Sequence, residues 1–285
     1  MKWRNARESS NVEMGGRRGG GLNMGVVGIV IVVVLGLVMG KNPLEMLGMV
    51  AQMQSQAPQA VGEPVDPNAP RTEAQEFSAR ILGSTEDVWG QLFAADGAMY
   101  PAPTMVLFQG AVQSACGGAT SAVGPFYCPG DRKVYLDTGF FDEMKAKLGG
   151  GGEFAQAYVI AHEVGHHVQT ITGTSAKVNA ARAAGGALQG DSGLLVRQEL
   201  QADCYAGLWA HFAQKQEQWM EPGDLESAIR TAQAIGDDTL QKQSQGTVVP
   251  DAFTHGSAEQ RMAWFTRGFE SGDITQCDAF GARQL

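Results

Sequence analysis

The hydrophobic pattern divides this chain into two regimes. From Leu22 to Met39 there are 18 residues with no charge and only Asn23 strongly polar, and the core from Val26 to Leu35 is continuously apolar. No amphipathic period interrupts it, which argues against an ordinary core helix. At 1.5 Å per residue the stretch covers about 27 Å, close to a bilayer core of roughly 30 Å. The pattern therefore predicts one transmembrane helix over residues 22–40. Lys2, Arg4, Arg7, Arg17 and Arg18 precede it, and only Lys41 follows closely. The positive-inside rule then makes residues 1–21 a basic cytoplasmic segment and puts everything after residue 40 outside, a single-pass inner-membrane topology. A cleaved signal peptide is the competing reading. It lacks a small-x-small cleavage site directly downstream, and the basic lead is long for it.

After Pro43 a Met-rich apolar stretch suits a short interfacial helix. Pro58, Pro64, Pro67 and Pro70 with polar spacers make the rest of residues 41–70 an extended tether. From residue 71 the pattern becomes periodic. Ala74, Phe77, Ile81 and Leu82 predict one helix, and Ser84, as a cap ahead of Val88, Trp89, Leu92 and Phe93, predicts a second. Thr104–Ser114 reads as a strand or strand pair and Lys133–Asp137 as another strand. Thr138–Leu148 suits a short helix, and glycines 149–152 then break the chain. Glu153–Ile171, Asp191–Gln218 and Glu226–Ile235 read as helices, with an Ala/Gly-rich loop over 173–190. Ser257-Ala-Glu-Gln260 is a capping-box pattern ahead of a last helix carrying Met262, Trp264, Phe265 and Phe269. The expected fold is α+β and mainly helical, with a small sheet upstream of the Glu153 helix.

Composition narrows this little. With 44% hydrophobic and 18% charged residues, the 285-residue chain suits one globular domain, residues 71–285, plus appendages. The net charge is −9; residues 1–21 carry +3, leaving −12 for the remainder. An acidic body argues against nucleic acid as a partner, since phosphate binding needs a basic face.

The chemistry lies on the Glu153 helix. His162, Glu163 and His166 form H-E-x-x-H. Residues four apart share a helix face, so the two imidazoles can bind one zinc ion, and Glu163, about 100° round, can reach a water there as general base. A catalytic zinc needs a third protein ligand. Glu199 and Asp203 are four apart on the next long helix, with Ala202, Ala206 and Ala210 on or beside their face. Small residues there would let the two helices approach. Glu199 is the candidate third ligand, and Asp203 the candidate acceptor for the free ring N–H of His162. A solvated acidic face is the plainer alternative.

Several segments together resemble the bacterial putative neutral zinc metallopeptidase family. They are Cys116 with Gly124-Pro-Phe-Tyr-Cys-Pro129, Asp131–Asp137, His162–Gln169 and Glu199–Gly207. The resemblance covers the apolar segment and nearly all of residues 71–285. It implies a membrane-anchored metallopeptidase of zincin-like fold with zinc as cofactor and a peptide or protein as substrate. His255, in Phe253-Thr-His-Gly-Ser257, fits the electrophile that such an enzyme sets opposite its base; similar metallopeptidases carry an analogous Thr-His segment near their end. A loop histidine without a role is the alternative. His167, about 100° from His166, should miss the metal. His211 reads as a packing or surface residue, and Tyr158 as core. The four cysteines allow three pairings; in an extracytoplasmic domain we favour Cys116–Cys128, a local loop, and Cys204–Cys277, which ties the C-terminal tail to the Glu199 helix. A substrate strand would add to an edge near Val134–Leu136. The rival to a peptidase is a membrane-anchored binding module with a structural or vestigial zinc.

Overall fold

A computed structural model of the chain describes residues 1–15, 71–120, 124–142, 152–234, 236–245 and 247–285. In chain order the elements are strand β1 (Val12–Met14), helix α1 (Glu73–Ala95), strands β2 (Thr104–Phe108), β3 (Ala111–Ser114), β4 (Gly117–Thr120), β5 (Phe126–Cys128) and β6 (Lys133–Asp137), then helices α2 (Glu153–Ile171), α3 (Thr174–Ala183), α4 (Leu194–Glu217), α5 (Asp224–Ala234), α6 (Asp237–Gln245) and α7 (Ala258–Ser271). The α+β, mainly helical reading holds. The segments 22–40 and 41–70 lie outside the described residues. Among the described helices none is long and apolar enough to cross a membrane.

Residues 1–15 differ from expectation. They were expected to stand apart from the domain as part of a basic cytoplasmic segment. They belong instead to the same compact unit as the residues from 71 onward. β1 pairs in parallel with β2, Val12 opposite Met105 and Met14 opposite Leu107. Trp3 is fully buried, edge-on to Phe77 at 5.2 Å between ring centroids. A short strand with one buried aromatic carries little periodicity, so its charged neighbours dominate the sequence pattern.

The main sheet runs β1-β2-β6-β5, parallel except for β5, and β3 and β4 form a separate hairpin. β6 therefore lies between two strands. The substrate edge expected near Val134–Leu136 is not an edge; the outer strands are β1 and β5.

α1 is one helix where two were expected. Thr72 caps it in a capping box with Gln75. The cap-like residues Ser84 and Thr85 are buried within it and serve packing: the Ser84 hydroxyl accepts from the Trp209 indole at 3.0 Å, and Thr85 donates to the Leu82 carbonyl. Residues 174–183, expected in a loop, form α3; alanine is the strongest helix former, and the four in this decapeptide favour the turn. The helix expected over Thr138–Leu148 lies largely outside the described residues.

α2 and α4 run through the core, buried over most of their surfaces. α4 and α7 cross backbone to backbone: a Cβ on Gly207 would come within 2.0 Å of the Phe265 carbonyl, and one on Gly268 within 2.0 Å of the Cys204 carbonyl. Two disulfides are present, Cys116–Cys128 and Cys204–Cys277, the favoured pairing. The second closes a loop of 73 residues and fastens the tail to α4. By chain entropy it contributes about 4 kcal/mol. Replacing Cys204 and Cys277 together by Ser is expected to lower the urea midpoint and to steepen the transition, because the unfolded chain, freed of the cross-link, exposes more surface.

Candidate metal centre

α2 starts after Gly152 and ends at Ile171, where Thr172 and the left-handed Gly173 (φ 87°) turn the chain into α3. His162, Glu163 and His166 sit near its middle, where α4 passes close by. Gly165 makes the approach possible: a Cβ there would lie 3.0 Å from the Ala202 carbonyl oxygen. The expected small-residue seam thus includes a glycine on α2 as well as the alanines of α4.

The approach brings Glu199 to the histidines. Its Oε2 lies 3.2 Å from His162 Nε2 and 3.5 Å from His166 Nε2. One ligand atom from each of the three residues falls within 4.8 Å of the others, the spacing of a shared ion. Each ring is fixed from behind. His162 Nδ1 is 2.8 Å from Asp203 Oδ1, and His166 Nδ1 is 2.9 Å from Gln169 Oε1. With both Nδ1 atoms facing acceptors, the Nε2 lone pairs are left for a metal. Gln169 is itself held by donating to the Gln198 carbonyl and to Gln201 Oε1. Two imidazole nitrogens and one carboxylate are a donor set that suits zinc.

Asp203 does more than hold His162. It is fully buried and accepts from the Tyr158 hydroxyl at 2.6 Å and from Arg261 twice, at 2.9 and 3.0 Å. Burial alone would raise its carboxyl; the Arg261 guanidinium and His162 outweigh that and hold it at about 2. Arg261, from α7 and 4% exposed, is the part of the site that sequence reading missed. The only hint was a cation within the apolar pattern of the last helix. Tyr158 is core, as expected, with a polar end in this network.

Glu163 is buried, and burial raises its carboxyl pKa, with the neighbouring Glu199 charge adding and the two histidines opposing. Glu199 goes the other way: burial would raise it, but His166 and His162 hold it well below the usual range. The site thus separates a more basic carboxylate from a less basic ligand.

The other histidines sort as follows. His167 is buried and turned away from the ligands; burial lowers it to about 4, so it is neutral. Its Nε2–H donates to the Pro101 carbonyl at 2.6 Å and its Nδ1 accepts from the Tyr127 hydroxyl at 3.2 Å. It therefore ties α2 to β5. His211 packs against α7 through the Phe269 carbonyl. His255 makes no hydrogen bond to the three ligands or to Glu163. It stands on the loop before α7 with its side chain 53% exposed. The loop is built on Asp237, the first residue of α6. Asp237 Oδ2 accepts the backbone N–H groups of Thr254, His255 and Gly256, and Oδ1 lies 3.2 Å from His255 Nδ1. Asp237 raises the His255 imidazole, and the Glu199 charge adds to that, which places the ring within the electrostatic reach of the site. Sequence reading did not find Asp237, because nothing local links it to a residue 18 positions away.

A cleft of about 270 Å³ opens on two of the three candidate ligands. His166 and Glu199 line it, with Tyr127 and Pro129 from the β5 end and Ser175, Asn179 and Arg182 from one face of α3. A larger, shallower depression along α7 contains none of the ligands. The β5 end and two of the candidate ligands therefore meet in the smaller cleft.

Known proteins resemble this chain over most of its length. The model of the family described as "Putative neutral zinc metallopeptidase" matches residues 1–280. The chain is 48% identical to the uncharacterized protein YpfJ of Escherichia coli K12, over 99% of each chain. It is 47% identical to the uncharacterized protein Rv2575 of Mycobacterium tuberculosis H37Rv, over 71% of this chain and 69% of that one. No solved structure matches.

Proposed function

Because the chain belongs to the putative neutral zinc metallopeptidase family, we propose that it hydrolyses peptide bonds with a zinc ion held by His162, His166 and Glu199. The observation that carries this is the convergence of both Nε2 atoms and one Glu199 oxygen, with Glu163 buried beside them. Zinc in such a site supplies Lewis acidity and lowers the pKa of its water towards about 7. Glu163 accepts the proton of the attacking water and returns it to the leaving amine. Asp203 and Gln169 keep the two imidazoles in the ligating tautomer. The substrate strand lies along β5, whose outer edge has no partner strand among the described residues and adjoins the cleft. A zincin-like fold is the corresponding structural reading.

A purely structural zinc has no use for a buried carboxylate poised next to it, which favours the peptidase over a binding module. Two disulfides within the domain favour an oxidising, extracytoplasmic location. The test is a peptide-library digest by the purified protein, with and without chelator. Cleavage that stops on chelation and returns with zinc supports the reading; no cleavage by the zinc-loaded protein overturns it.

His255 supplies the charge opposite the base. Its protonated ring stabilises the developing oxyanion. Asp237 keeps that ring protonated to higher pH than a free imidazole. Activity is therefore expected to fall on the alkaline side as His255 loses its proton. Asp237→Asn is expected to move that limb to lower pH and leave zinc content unchanged. An unmoved alkaline limb in the pH profile of kcat/KM would remove His255 from the reaction.

A further inference from the structure

The cleft beside His166 and Glu199 has one wall that the hydrolytic step leaves unused. It is a single face of α3. Ser175, Asn179 and Arg182 follow one another at four and then three residues, a spacing that stacks side chains on one side of a helix, and all three line the cleft. Val178, next to them on the helix, is buried and seats α3 on the domain. Ser175 fixes the upstream end of the face: its hydroxyl lies 3.3 Å from the Thr170 hydroxyl on α2 and 3.5 Å from the Gln198 amide nitrogen on α4. Asn179 and Arg182 are not used in this way. Both are exposed, and neither side chain has a hydrogen bond or ion pair among the described residues.

Arg182 is also the only Lys or Arg among the described residues that line the cleft. The last turn of a helix favours a cation through the helix dipole, but on any face. Here the cation stands on the face turned to the candidate ligands. The carboxylate on the same cleft, Glu199, is already engaged, with its Oε2 3.2 Å from His162 Nε2 and 3.5 Å from His166 Nε2. Tyr127 and Pro129, which line the cleft from the β5 end, carry no carboxylate either. The guanidinium therefore faces the cleft with its donors unspent. A guanidinium is planar, always charged, and matches a carboxylate through two parallel hydrogen bonds. The chain as a whole carries −9, so its general field does not draw an acidic peptide to the surface. A cation inside the cleft selects such a peptide at that point alone.

On the peptidase reading of the site, on which this depends, we propose that α3 is its specificity wall: Arg182, with Asn179 one turn before it, binds a carboxylate of the substrate. The preferred substrates are then peptides that present an Asp or Glu side chain, or a free C-terminus, close to the bond that is cut. A substrate strand along β5 has α3 as the other wall of the cleft.

Binding tests this apart from hydrolysis. The full-length Glu163→Gln protein, loaded with zinc, is offered three peptides of one neutral sequence, each labelled with fluorescein at the N-terminus. The first has a central Glu and an amidated C-terminus, the second a central Gln and a free C-terminus, the third Gln and an amide. Fluorescence anisotropy is expected to show the first or the second binding about tenfold more tightly than the third, with the difference shrinking at high salt. Which of the two gains identifies the source of the carboxylate. Arg182→Ala is expected to erase the difference, and Arg182→Glu to turn the preference towards a peptide with a central Lys. Arg182 is exposed and unpaired among the described residues, so neither change should alter zinc content or the thermal midpoint. Equal binding of all three peptides, no measurable binding of any, or a preference that survives Arg182→Ala overturns the proposal. Cleavage is scored separately with the parent protein. A carboxylate preference that depends on Arg182, without cleavage, keeps the binding role and removes the peptidase reading; cleavage without the preference keeps the peptidase and removes the role of Arg182.

Discussion

Glu163→Gln is expected to retain zinc and the folded domain while losing about 10²–10⁴-fold in kcat, the usual worth of a general base. The amide is nearly isosteric with the carboxylate and cannot take a proton from water. The side chain makes no bridge to the ligand histidines that the fold depends on: His162 is held by Asp203 and His166 by Gln169. Metal content and thermal midpoint should therefore be close to those of the parent. Glu199→Ala makes the contrast, since it removes a ligand and should lose both metal and turnover. Metal analysis beside a peptide assay separates the two variants. Full turnover by Glu163→Gln would end the assignment of the base.

Asp203→Ala is expected to do the most damage to the fold. It removes the carboxylate that meets the buried Arg261 guanidinium through two hydrogen bonds. Breaking a buried ion pair from one side costs about 3–5 kcal/mol. It also frees the His162 ring to rotate or change tautomer, so zinc affinity should fall by about 10–100-fold. The pH dependence has a definite sign. The Asp203 carboxyl is depressed from 3.8 to about 2. Its contribution to stability is complete above the unfolded value and is lost as pH falls towards the folded one. The parent should therefore lose stability between about pH 4 and 2 by a component that the variant lacks. Urea titrations of both proteins across that range measure it. Equal acid slopes would show that Asp203 does not carry this linkage.

Local spacing explains why the candidate ligands were legible and their supports were not. His162, Glu163 and His166 lie within five residues on one helix, so helix geometry alone fixes their relation. Glu199 and Asp203 share the same local logic on α4. What holds these groups came from elsewhere. Arg261 meets Asp203 across 58 residues, and His167 meets the Pro101 carbonyl across 66. Such pairs leave no period or spacing in a single sequence. Ser84 shows the converse error, where a cap residue was read as a boundary although its hydroxyl was committed to Trp209, 125 positions on.

By itself the sequence determined the α+β class and the extent of the His162 helix, it singled out His162, His166 and Glu199 as candidate ligands with Glu163 as candidate base, and it favoured one of three cysteine pairings. Each rests on local spacing or on a small set of alternatives. Only the tertiary structure decided the rest. It placed Arg261 behind Asp203, made Asp237 the support of the His255 loop, put β5 rather than β6 at the edge, and docked residues 1–15 against α1 and β2. Those outcomes follow from which surfaces are buried together, a property of the whole packed chain and of no one segment.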